Sequence, residues 1–166
     1  MATANRNLSA YQKEDYIDIK QYKIGIVVSD WNSEITSKLQ KGAIDTLIDN
    51  GVNSSNIEIF NVPGTFELPL GAQFVFESIQ VDGIIAIGTV IKGETKHFDF
   101  ISMECTRAIQ DLTLEFDIPI MFGVLTTENV EQAIERSTSN NKGSEVMDAA
   151  FKMIETFKDI KSSSEK

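Results

Sequence analysis

Four short runs of apolar, largely β-branched residues limit what this chain can fold into: residues 23–29 (KIGIVVS), 57–62, 83–87 (GIIAI) and 119–125 (PIMFGVL). The first, third and fourth are continuously apolar rather than alternating, the pattern of strands covered on both faces. Between successive runs lie segments with the three-and-four spacing of amphipathic helices. Parallel strands cannot be joined by tight hairpins and need crossover connections, which are right-handed. The order of elements therefore predicts a parallel sheet with helices on both sides.

The helical segments fill out this plan. After the first run, Asp30-Trp31-Asn32-Ser33 form a turn rich in capping residues, and a helix continues to about residue 50 with Ile35, Leu39, Ala43 and Leu47 four apart and Ile44 and Ile48 widening the stripe. Pro69 is tolerable in the next helix only near its start, so that helix begins within 65–68 and runs to about 80. The third helix is expected to bury Phe98, Ile101, Cys105, Ile109, Leu112 and Phe116. A short helix ends near Arg136, a polar loop occupies 137–143, and the last helix presents Val146, Ala149, Ala150, Met153 and Phe157. The resulting fold class is α/β: a three-layer α/β/α sandwich, flavodoxin-like, with a four-stranded parallel sheet. Residues 23–158 form the one domain; 1–22 are an arm that either packs on a neighbour or is disordered, and 159–166 are a flexible tail.

A chain of 166 residues buries roughly 70% of its unfolded surface, enough for a core without disulfides or metal. Its single cysteine, Cys105, excludes an internal disulfide and leaves a structural zinc site short of ligands, which suits a reducing, cytoplasmic setting. The net charge of −10 argues against nucleic acid, whose phosphates it would repel. No apolar run approaches the roughly 20 residues of a membrane-spanning helix.

In open parallel sheets ligands bind beyond the carboxyl ends of the strands. Here that edge gathers four loops, 29–33, 62–67, 88–97 and 125–129, with the only tryptophan, Trp31, and the only histidine, His97. The stretch GTVIKGETKHFDF (88–100) is central. Gly93-Glu94-Thr95 at a helix start can hold an anion through backbone amides and the Thr95 hydroxyl, or can be an ordinary capped helix. The positive end of the helix dipole disfavours an imidazolium at His97 and leaves an imidazole able to accept a proton. Trp31 can stack on a flat heteroaromatic ligand or simply pack. Phe66-Glu67 offers a second wall and an acceptor. Arg136 and Lys142 flank a polar loop, where solvated surface is the plain reading. Cys105 sits in an apolar stripe as a core residue.

Together, SDWNSEIT with GAIDTL, VPGTFELP, GTVIKGETKHFDFI, and FGVLTTENVEQAIER followed by NKG resemble the 6,7-dimethyl-8-ribityllumazine synthase family over residues 22–157. The resemblance implies condensation of 5-amino-6-(D-ribitylamino)uracil with 3,4-dihydroxy-2-butanone 4-phosphate, releasing phosphate and water without a cofactor, the penultimate step of riboflavin biosynthesis. It puts Trp31 over the pyrimidine, Thr65, Phe66, Glu67, Thr89, Val90 and Ile91 against the ribitylaminouracil, and Glu94 and Thr95 at the phosphate. It makes His97 the proton-transferring residue, Phe122 an aromatic lent by a neighbouring subunit, Arg136 the cation on the phosphate and Lys142 a contact of the ribityl chain. It further implies homo-pentamers, either free or in sixty-subunit icosahedral shells, and association with riboflavin synthase. Trp31 stands where phenylalanine is common in that family, and Lys92 where arginine is frequent. The rival reading is a flavodoxin-like electron carrier holding a flavin phosphate in the loop 29–36; that reading gives His97 no task.

Overall fold

The structure, a computed structural model, describes residues 19–164. Strands β1 (Ile24–Ser29), β2 (Ile57–Val62), β3 (Gly83–Ile91) and β4 (Ile120–Thr127) form one sheet in the order β2-β1-β3-β4. Every pairing is parallel. The helices are α1 (Ser33–Asp49), α2 (Leu68–Ser78), α3 (His97–Phe116), α4 (Val130–Ser137) and α5 (Lys142–Ser164). This is the three-layer, flavodoxin-like α/β/α sandwich expected from the four runs. No helix among the described residues is long and apolar enough to cross a membrane.

Alternation along the two central strands sends side chains into two separate cores. Ile24, Ile26, Val28, Ile85 and Ile87 pack with Leu39 and Leu47 of α1, Ala133 of α4 and Met147, Phe151 and Ile154 of α5. Val27, Ile84 and Ala86 pack on the other face with Leu68, Ala72 and Val75 of α2 and Cys105 and Ile109 of α3. The sheet thus separates α1, α4 and α5 from α2 and α3. β2 is an edge strand, exposed from Glu58 to Asn61.

The seam between α1 and α5 requires glycine. A Cβ on Gly143 would collide with the Leu39 carbonyl oxygen, and one on Gly42 with the Asn141 side chain. Asn141 fastens the crossing: its Nδ2 donates to the carbonyls of Lys38 (2.8 Å) and Ser137 (3.0 Å), and its Oδ1 accepts from the Gly143 amide at 2.9 Å.

Several expectations need correction. Residues 1–18 of the expected arm lie outside the described residues, but Ile19 and Tyr22 belong to the core, with Tyr22 6.5 Å from the Phe151 ring and under the Lys158 ammonium at 3.7 Å. The domain therefore starts before residue 23. The helix after β2 begins within 65–68 as expected, a 3-10 turn at Thr65–Glu67 becoming α-helical at Leu68, the residue before Pro69, but it ends at Ser78 rather than at about 80. β3 runs on to Ile91, paired with β4 along its added length. β4 spans Ile120–Thr127 rather than 119–125. On α3 only Cys105 and Ile109 of the expected stripe are buried. On α5 Ala150 is buried as expected, but together with Met147, Phe151 and Ile154 in place of the expected Val146, Ala149, Met153 and Phe157. The expected tail is helical to Ser164: no Gly or Pro follows Gly143, and the Ser162 and Ser163 hydroxyls both donate to the Asp159 carbonyl, at 2.9 and 2.8 Å.

Candidate active site at the carboxyl edge of the sheet

The four loops beyond the strand ends are bonded to one another in the order of the strands beneath them. The Asp30 amide donates to the Val62 carbonyl at 2.8 Å and the Trp31 amide to the Pro63 carbonyl at 3.1 Å, joining the loops after β1 and β2. Asn61 adds a side-chain bond to Asp30 at 2.6 Å. Asn32 Nδ2 donates to the Thr89 carbonyl at 3.0 Å, joining the loop after β1 to the end of β3. The Lys92 amide donates to the Thr127 carbonyl at 2.9 Å, and Lys92 Nζ lies 2.8 Å from Glu128 Oε2, joining the loops after β3 and β4. Glu128 holds the Lys92 ammonium above its ordinary value, first by that hydrogen bond and then by its charge.

On this frame sit the aromatic and polar groups expected from the sequence. Trp31 is 73% exposed and Phe66 57%, both large apolar side chains held in water. The turn carrying Thr65, Phe66 and Glu67 lies close on β3: a Cβ on Gly88 would come within 2.8 Å of Thr65 Oγ1, so glycine there permits the approach. Thr65 and Thr89 are buried, Val90 and Ile91 half-buried. The hydroxyls of Thr89 and Ser29, at the ends of the two central strands, are buried without a protein partner. Groups of this kind are uncommon away from ligand or water sites.

The turn after β3 is open. Nothing lies within 4 Å of where a Gly93 Cβ would be. Among the described residues, the amides of Gly93, Glu94, Thr95 and Lys96 donate to no backbone carbonyl, so they are free for an anion at the head of α3. Thr95 Oγ1 accepts from the His97 amide at 3.3 Å, fixing the start of the helix. His97 is its first residue and is exposed.

The edge therefore brings together Trp31, Thr65, Phe66, Glu67, Thr89, Val90, Ile91, Glu94, Thr95 and His97. It does not bring in the other three. Phe122 lies mid-strand opposite Ala86 and packs half-buried with the α2/α3 core. Arg136 is in the last turn of α4, where Nη1 donates to the Gln132 carbonyl at 3.1 Å and stands 3.7 Å from Glu135 Oε2. Lys142 opens α5 and pairs with Glu145 at 2.6 Å. Within one chain the sheet stands between His97 on α3 and the elements carrying Arg136 and Lys142. The bonds of Asn32 and Lys92 across the edge escaped sequence reasoning, which took Asn32 as a capping residue. Its side chain makes no capping bond.

Comparison with known proteins adds an independent finding. A family model described as 6,7-dimethyl-8-ribityllumazine synthase matches residues 21–158. A protein of that name from Christiangramia forsetii is 48% identical, covering 97% of this chain and 98% of its own length. Those of Flavobacterium johnsoniae and Porphyromonas gingivalis are 48% and 47% identical over 92% of this chain, covering 82% and 96% of theirs.

Proposed function

The chain belongs to the 6,7-dimethyl-8-ribityllumazine synthase family, and from that premise we propose that it condenses 5-amino-6-(D-ribitylamino)uracil with 3,4-dihydroxy-2-butanone 4-phosphate, the penultimate step of riboflavin biosynthesis. It is a transferase of that pathway. The observation that carries the reading is the open amide turn, 93–96, joined by hydrogen bonds along one sheet edge to the loop that exposes Trp31.

The chemistry follows from these groups. Trp31 stacks on the pyrimidine, while the unpartnered hydroxyl of Thr89 and the carboxylate of Glu67 face polar parts of the ribitylamino substrate. The phosphate sits at the head of α3 on free amides and the Thr95 hydroxyl. The uracil amine attacks the ketone; the carbinolamine loses water; phosphate leaves; ring closure follows. Each step moves a proton, and His97, one residue from the phosphate turn, carries it. Cationic and amide groups stabilise the departing phosphate. Holding two reactants in register supplies much of the acceleration.

The position of Arg136 and Lys142 behind the sheet supports a site completed by a second copy of the chain, which lends Phe122, Arg136 and Lys142. An apolar face on α2 and α3 supports such assembly: Leu70, Phe74, Phe100, Met103 and Leu114 are each more than half exposed. The assembly we propose is a homo-pentamer, free or in a larger shell.

The test mixes both substrates with purified protein and follows the fluorescent lumazine. Arg136→Ala is expected to lose activity by about two or more orders of magnitude, as for a transition-state charge contact, and His97→Ala by less. Co-assembly of the two variants should restore part of the activity, because some shared sites then hold both intact residues. Full activity in both single variants would refute the assignment.

A further inference from the structure

Asn32 has backbone angles φ 62° and ψ 41°, the left-handed region, which costs most residues energy and which asparagine tolerates better than others. It is one of two non-glycine residues so placed among those described, the other being Asp117 at the end of α3. Asn32 stands at the N-cap of α1, where an asparagine side chain ordinarily accepts from the helix's own first amides. Here it does not. Its carbonyl takes the Ile35 and Thr36 amides, at 2.9 and 3.1 Å, while the side-chain amide reaches across the edge to the Thr89 carbonyl. The neighbouring Trp31 is fastened through its backbone to Pro63 and has its ring in solvent.

We propose that Asn32 is a positioning residue for the aromatic platform: its left-handed backbone turns Trp31 out over the edge, and its bond to the Thr89 carbonyl fixes the distance between that ring and β3. It acts through Trp31 and Thr89. The alternative use of the same side chain, capping α1, would secure the helix and leave the tryptophan loop tied on the β2 side only. This inference rests on the synthase reading for its kinetic consequence but not for its structural one.

Trp31 is the chain's only tryptophan, so its fluorescence reports this loop alone. Asn32→Gly keeps the left-handed backbone and removes the bond to Thr89; Asn32→Asp keeps size and backbone preference and replaces the donor with a carboxylate. Both are expected to increase the fast local component of the Trp31 anisotropy decay. Both should raise KM for the ribitylaminouracil about five- to tenfold, the worth of one hydrogen bond, with KM for the butanone phosphate and kcat nearly unchanged. A residue that only stabilised α1 would alter the unfolding midpoint and leave this split between the two substrates absent. Unchanged anisotropy in Asn32→Gly, or equal changes in both KM values, overturns the proposal. If wild-type protein made no lumazine, the synthase reading would fall while the anisotropy comparison still decided whether Asn32 positions the ring.

Discussion

The two faces of the sheet are finished to different degrees. On one, α1, α4 and α5 close over β1 and β3, and Leu39, Leu47, Met147 and Phe151 are wholly buried. On the other, α2 and α3 bury Leu68, Ala72, Cys105 and Ile109, yet leave Phe74, Phe100, Met103 and Leu114 more than half exposed. Both sets of helices are amphipathic, and α1, α4 and α5 also leave Ile48, Val130, Ile134, Met153 and Ile160 exposed; of these only Ile160 is more than half exposed, so what differs is how much of the apolar surface the chain covers by itself. The finished face carries Arg136 and Lys142, and the unfinished face begins at His97. A single chain therefore folds with the residues proposed for catalysis divided between its faces, and under that proposal the exposed apolar surface supplies a driving force for bringing a second copy to the first.

The largest expected effect of breaking this contrast lies on the finished face. Phe151→Ala should cost about 3–5 kcal/mol of unfolding free energy in urea, the usual range for deleting a buried aromatic. Gly143→Ala should follow at about 1–3 kcal/mol, since the seam must part to clear the Leu39 carbonyl. Neither loss should vary with protein concentration. Phe100→Ser on the other face should leave the dissociated chain within about 0.5 kcal/mol of wild type, as for an exposed substitution. It should nonetheless lower the sedimentation coefficient at high concentration and remove the concentration dependence of the unfolding midpoint. If Phe100→Ser destabilised the dilute protein as much as Phe151→Ala, the difference between the faces would be false.

The same contrast explains what the sequence disclosed. β1 and β3 were legible because continuous apolar runs are diagnostic of central parallel strands, and α1 because its fourfold stripe faces a core within the chain. The stripe read for α3 mixed residues buried by the chain with partly covered ones such as Phe98, Ile101 and Leu112; periodicity marks an apolar face without saying what covers it. On α5 the stripe read from the sequence joined Ala150 to Val146, Ala149, Met153 and Phe157, whereas the buried set joins it to Met147, Phe151 and Ile154, one residue away in phase. The close approach at Gly143 favours the second by fixing the rotation of the helix against α1. At the site, the residue types in the loops were legible, whereas the bonds of Asn32 and Lys92 link positions far apart in the chain, and no local pattern announces them.

Among the described residues, the finished face carries a carboxylate that burial penalises. Asp148, half-buried on α5, has its carboxyl pushed up from 3.8 to about 6, chiefly by desolvation, with Glu145 adding and Lys152 opposing. The folded chain thus holds a proton there more tightly than the unfolded chain does. Between about pH 4 and 6 the native state binds more protons, so stability contributed by this group falls as pH rises and stays lost at neutrality. Asp148→Asn, neutral at every pH, should therefore stabilise the protein at pH 7. The gain should be about 1 kcal/mol or less, because solvent reaches the side chain and screens the penalty. It should shrink towards zero near pH 4, where the wild-type carboxyl is protonated in the folded state and increasingly so in the unfolded one. Urea midpoints of the two proteins measured across this range should converge at the acid end, with Asp148→Asn the more stable at neutrality; a variant less stable than wild type at pH 7 would mean that Asp148 is stabilised as a carboxylate, and that this face accommodates charge as readily as the open one.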